Sequence, residues 1–160
     1  MKSTFAQFFV EKYVIGLIET IHVKGVGTVE AKVDSGNGGF NVLHGEDIQV
    51  QGSKVTFVTA NNKRVMKPIV DHVTINVGAG NQEDRPVVEF DVQIGDRRFE
   101  NVKFSIGNRS DNSQKVLISK SFIQDELDAL IDVGVNNVAS KGIEVDYGNT
   151  SDEDGMPATL

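Results

Sequence analysis

Val29-Glu30-Ala31-Lys32-Val33-Asp34-Ser35-Gly36-Asn37 alternates apolar and charged residues, then stops on an aspartate-serine-glycine turn. Side chains alternate across a pleated backbone, so Val29, Ala31 and Val33 share one face of a strand that delivers Asp34 to its end. Gly36 lets the backbone approach the carboxylate and point its amide at it, while the Ser35 hydroxyl is free to hydrogen-bond across a paired site. Two such aspartates facing each other can divide the work of hydrolysis. One ionised carboxylate takes a proton from water, a second, protonated one polarises the carbonyl, and the two titrate as a unit.

The chain offers one persuasive copy of this turn. Asp132-Val133-Gly134 and Asp146-Tyr147-Gly148 lack the short hydroxyl, and Asp132 is expected at the end of a helix with Gly134 as its stop. A second carboxylate would therefore come from a second chain.

The flanking sequence is mostly strand-like. Val55 and Phe57 alternate with polar neighbours, Asn61-Asn62 supplies a turn and Val65 begins the return, so Lys54 to Ile69 is expected as a hairpin that serves as a flap, with Asn61 and Asn62 as its substrate-contacting candidates. Val73, Ile75 and Val77 form another strand, followed by an expected polar loop from Gly78 to Arg85. Val88, Phe90, Val92 and Ile94, the Gly95-Asp96 turn, and Phe99, Val102, Phe104 and Ile106 make a second hairpin. Val116-Leu117-Ile118 is apolar on both faces, as a buried strand is. A helix is expected next, opened by a Ser121/Gln124 capping box and striped by Ile123, Leu127, Leu130 and Ile131. Ile143-Glu144-Val145 reads as a last short strand, and Asn149 to Leu160 as an acidic tail.

Composition bounds the rest. The 160 residues are 39% hydrophobic, enough for one core, and 23 acidic against 16 basic residues give a formal charge of -7. That balance argues against nucleic-acid or anionic-membrane partners. The absence of cysteine excludes disulfides and thiolate chemistry. Met1 to Tyr13 does not read as a secretory signal, and no run approaches the roughly 20 apolar residues of a membrane helix. A cytoplasmic or intracellular, soluble product is expected. His22, His44 and His72 are too scattered to read as a metal site, with His44 close enough in sequence to reach the Asp34 neighbourhood.

Several segments resemble, in order, the retropepsin-like proteins known as "ATP-dependent zinc proteases": Val14 to Glu19, Val29 to Gly36, Leu43-His44, Arg85 to Val88, Asn108-Arg109 and Val116 to Ile123. The resemblance implies a closed, mostly antiparallel acid-protease barrel with a flap hairpin and one short C-terminal helix. It implies Asp34 as the catalytic position, with Ser35 and Gly36 beside it, and a dimer-forming site acting on peptide or protein substrates. Neither a His-Glu-x-x-His motif nor a phosphate loop is present, so no zinc, ATP or other cofactor is expected. The domain is expected over 14–134, with extensions at 1–13 and 135–160. Asn37 stands where alanine is usual in the resembled motif, and Ser119-Lys120 where Gly-Arg is usual. These differences favour an alternative, a catalytically inactive subunit of a large complex such as a phage virion, with other subunits as partners.

Overall fold

Six strands of the computed structural model close on themselves, and the apolar face of each points inward. The structure describes residues 13–142 and the backbone of residues 156–157. In chain order the strands are β1 (Tyr13–Gly16), β2 (Ile18–Val23), β3 (Gly27–Asp34), β4 (Asn41–His44), β5 (Glu46–Gln51), β6 (Lys54–Val58) and β7 (Arg64–Pro68). They continue as β8 (Asp71–Gly78), β9 (Asn81–Ile94), β10 (Arg97–Gly107), β11 (Val116–Ser119), β12 (Ala129–Asp132) and β13 (Met156–Pro157). The barrel order is β10-β4-β11-β3-β2-β9, with β9 pairing back onto β10. Most pairings are antiparallel. The exceptions are β3 with β11, β4 with β10, and β1 with β12.

The expected alternation along β3 holds, with Val29, Ala31 and Val33 buried. Three rings fill the interior edge to face: Phe57 and Phe90 lie 6.5 Å apart, and Phe90 and Phe104 lie 6.2 Å apart. Each fully buried ring contributes roughly 2–3 kcal/mol by removal of apolar area from water.

Two sequence expectations need correction. The segment expected as a loop from Gly78 to Arg85 is mostly strand: the turn is confined to Ala79-Gly80, and Thr74 pairs with Asp84 and Val73 with Arg85. Both faces of this ribbon meet solvent over much of its length, so its polar side chains are compatible with pairing. The helix is also shorter than its apolar stripe promised. A single wide helical turn, Phe122–Leu127, closes with the Asp128 amide on the Ile123 carbonyl, and Asp128 adopts left-handed backbone. Ser121 is itself in right-handed helical conformation and makes no side-chain cap. Leu130 and Ile131 belong instead to β12, because β1 offers them a parallel partner.

A second sheet is formed by β5, β6, β7 and β13. Its β6–β7 hairpin is the one expected over Lys54 to Ile69, with Val58 opposite Arg64. The pairing of Met156–Pro157 with β7 places a strand within the expected tail. The expected strand at Ile143 to Val145, the Asp146 triplet, the rest of the expected acidic tail and residues 1–12 lie outside the described residues.

Residues 137–140 are bound to the barrel through Glu19, which is completely buried. Its carboxylate accepts hydrogen bonds from the amides of Gly16, Val138, Ala139 and Ser140 and from the Ser140 hydroxyl. The Asn137 side-chain oxygen in turn accepts the Thr20 amide and hydroxyl. The first residues of the expected C-terminal extension are thus part of the packed body.

Candidate functional site

Asp34 sits at the last position of β3, half-buried, while Ser35 and Gly36 are exposed. The Gly36 amide donates to Asp34 Oδ1 at 3.2 Å, and the Asn37 amide donates to the Asp34 carbonyl at 3.1 Å. These two bonds fix the turn and leave the other carboxylate oxygen for further partners. The sequence-derived site residues Asp34, Ser35 and Gly36 therefore occupy one exposed turn at the rim of the barrel.

The residues that differ from the resembled motif are built into that rim. Asn37 donates from Nδ2 to the Phe40 carbonyl at 3.1 Å and accepts the Gly39 amide at 2.9 Å, so it closes the loop on itself. Ser119 is the register partner of Asp34 across the parallel β3–β11 pair. Its amide donates to Asn41 Oδ1, and its hydroxyl accepts the Phe122 amide. The Lys120 amide reaches back to the Asn37 carbonyl at 2.8 Å. Its backbone supports the loop without calling on the side chain.

His44 does not touch the turn. It is buried at the far end of β4, where its Nδ1 accepts the Arg109 amide at 2.8 Å, and burial pulls its pKa below the usual histidine value. Arg109 is closer to the question. Burial and the neighbouring Arg85 lower its pKa, while the Asp34 carboxylate acts in the opposite direction, so Asp34 lies within electrostatic reach of a guanidinium. Arg85 in turn packs over Gly107, where a Cβ would come within 2.7 Å of its guanidinium carbon. His22 bonds Thr28, and His72 faces Asp84 on an exposed ribbon. The three histidines each have separate surroundings.

The proposed flap residues lie elsewhere. Asn61 Nδ2 donates to the Val26 carbonyl at 2.7 Å, beside the first residue of β3. Asp34 is at the last. Eight residues of strand separate them, about 23 Å at the usual rise. The hairpin exists, but its tip is tied to the opposite end of β3, because the β2–β3 turn presents an open carbonyl there.

A cavity of about 530 Å³ adjoins the turn, between Gly38–Asn41, the start of β10 and the helical turn. Phe40, Val102 and Phe122 supply apolar lining, with Glu100, Asp125 and Glu126 among the polar groups. Asp34 is not part of its wall. Asp132 also needs a corrected description: it ends a strand rather than a helix, and it accepts the Gly134 amide at 3.0 Å, the same local bond that Asp34 makes with Gly36. The expected Gly134 helix stop is therefore a turn after β12, and the backbone likeness of the two Asp-x-Gly segments was hidden by the helical reading.

No family model matches the chain, and no curated protein matches it. Its fold is similar to the crystal structure of a protein of unknown function (DUF785) from Legionella pneumophila subsp. pneumophila str. Philadelphia 1. The two share 21% identity with a TM-score of 0.65, over 79% of this chain and 98% of the other. At that identity the likeness shows a common fold alone. Among the described residues no helix is long and apolar enough to cross a membrane.

Proposed function

We propose that this chain is a retropepsin-like aspartic endopeptidase that works as a homodimer, with one Asp34 from each copy activating a shared water for peptide-bond hydrolysis. The observation that carries the reading is the Asp34 turn itself: a half-exposed carboxylate at a strand end, held by its own glycine amide and backed by the parallel strand β11. A facing copy of the same turn would give two carboxylates that share one proton, the arrangement that supplies base and acid together. Asn37 and Ser119 are compatible with this chemistry, because each satisfies its hydrogen bonds within the loop or with β11 and the helical turn. Peptide and protein substrates, and no cofactor, belong to the same proposal.

The second reading is a non-catalytic subunit of a larger assembly, such as a virion. It draws support from the Lys54–Ile69 hairpin, whose anchored tip lies at the end of β3 away from Asp34 and leaves the turn without that cover.

Incubation of the purified protein with a peptide library from acid to neutral pH, beside Asp34→Asn, separates the two. The protease reading expects cleavage that Asp34→Asn abolishes. Cleavage that survives the substitution, or none from a protein with proven dimers, rejects it.

A further inference from the structure

We infer that the cavity beside the Asp34 turn is a binding site for an arginine side chain presented by a peptide. Asp34 is not part of its wall, so binding there is a property separate from hydrolysis.

An irregularity in one strand makes the room. β10 loses register with β9 between Phe99 and Val102, where Asn101 takes left-handed backbone and its amide donates to Asp91 Oδ1 at 2.9 Å. Such a bulge turns a strand away from its neighbour. Glu100, Asn101 and Val102 line one side of the cavity, and the Phe122–Leu127 turn lines another. Buried Asn41 holds the third: its Nδ2 donates to the Lys103 carbonyl at 3.2 Å, and its Oδ1 accepts the Ser119 amide at 2.8 Å. The walls belong to one hydrogen-bonded framework, so the cavity is formed before any occupant arrives.

Volume and lining select the occupant. A space of about 530 Å³ falls in the range that holds small organic groups, roughly 300–1,000 Å³. Phe40, Val102 and Phe122 offer apolar surface, while Glu100, Asp125 and Glu126 set three carboxylates against the one ammonium of Lys103. None of these carboxylates has an ion pair or side-chain hydrogen bond among the described residues. They come from two separate elements, and among the described residues no three His, Asp or Glu side chains are grouped to hold a metal ion. A flat organic cation meets both demands, because its face rests on a ring while its N–H edge reaches carboxylates. Arg97 displays this mode next door: its guanidinium lies 5.0 Å from the Phe99 ring centroid and donates to the carbonyls of Leu127 and Glu126. The cavity has the rings and the acids, but its lining contains no arginine. Gly38 and Gly39 add no side chain at its edge, which leaves room for the peptide that carries one.

An amide-resolved NMR titration of the full chain tests this, carried out in Asp34→Asn so that any Asp34-dependent cleavage is removed. The probe is a blocked polyglycine peptide carrying one arginine, beside the same peptide with citrulline, which keeps the shape and loses the charge. Saturable shifts are expected at the amides of Gly38, Asn101 and Ser121, with a Kd of roughly 1 mM or tighter. The citrulline peptide is expected to bind at least about 5-fold more weakly, and Glu100→Lys and Asp125→Lys each to weaken the arginine peptide by about 5-fold. Glu30→Lys, on the exposed face of β3, is expected to change nothing. Glu100 and Asp125 are exposed, so both variants should fold, and an unchanged circular dichroism spectrum verifies it. The absence of saturable shifts up to about 10 mM peptide overturns the inference. So does equal binding of the two peptides, or binding that neither charge reversal weakens. Binding that begins only when residues 1–12 are removed overturns it as well, because the chain's own N-terminal segment would then be the occupant.

Discussion

The Glu19 carboxylate accepts a hydrogen bond of 2.7 Å from the Ser140 hydroxyl, a residue 121 positions later in the chain. With the four amides around it, that contact makes Glu19 a fully buried charge whose donors are supplied mainly by another segment. Hydrogen bonds to a buried charge contribute more than neutral ones, and loss of the charge leaves its donors unsatisfied.

Glu19→Gln is therefore expected to lower stability by about 2–3 kcal/mol, because the new NH2 group faces N–H donors. Urea unfolding measures the loss. Hydrogen exchange should show the amides of Val138, Ala139 and Ser140 losing protection well before the barrel strands do.

Acid should weaken the fold through His44. Its folded pKa lies below the ordinary value of 6.5, chiefly through burial, so the unfolded chain binds the proton more readily. The associated stability is complete above pH 6.5 and is lost as pH falls through the folded pKa. Protonation would also set an N–H against the Arg109 amide. Unfolding measured across this range should show a decline that His44→Gln reduces.

Alkali should weaken the fold through Tyr13. Burial, with Asp96 and Glu19 adding to it and Arg97 opposing, pushes its pKa from 10.0 to about 12. Its hydroxyl donates to the Ile94 carbonyl, a bond that ionisation removes. The neutral form is favoured by folding, so the stability it brings is intact below pH 10 and is lost between pH 10 and about 12. Ultraviolet absorbance titration should show a late phenolate step that disappears in Tyr13→Phe.

Asn61→Ala removes the bond to Val26 and should cost about 1 kcal/mol of stability. If Asp34-dependent cleavage is found, its kcat/KM should be unchanged in this variant. A large fall in kcat/KM with little loss of stability would mean that the hairpin tip reaches substrate after all.

Much of the architecture was legible because alternation is a strong signal where one face is buried. Val29, Ala31 and Val33 revealed β3, and Val88 to Ile94 with the Gly95-Asp96 turn revealed the β9–β10 hairpin. The Asp34 turn was legible for the same reason, since a strand must end somewhere and Ser-Gly marked the place. The failures came where long-range pairing overrode local pattern. Leu130 and Ile131 continue a helical stripe, yet the partner strand at Val14 and Ile15 determines their conformation. Asn61 looks like an ordinary turn residue until the Val26 carbonyl is beside it. The role of Glu19 carried no local signal, because its donors lie at Gly16 and Val138 to Ser140, and only folding brings those amides together.

The parallel pairing of Asp34 with Ser119 has a consequence for the order of events during folding. All of β4 to β10 intervenes between the two, so this contact carries one of the longer loop closures in the barrel and belongs among the slow steps of assembly. On a ribosome, the Asp34 turn emerges early but cannot acquire its backing strand until Val116–Ser119 has been synthesised. Whatever the turn does, it starts doing it late.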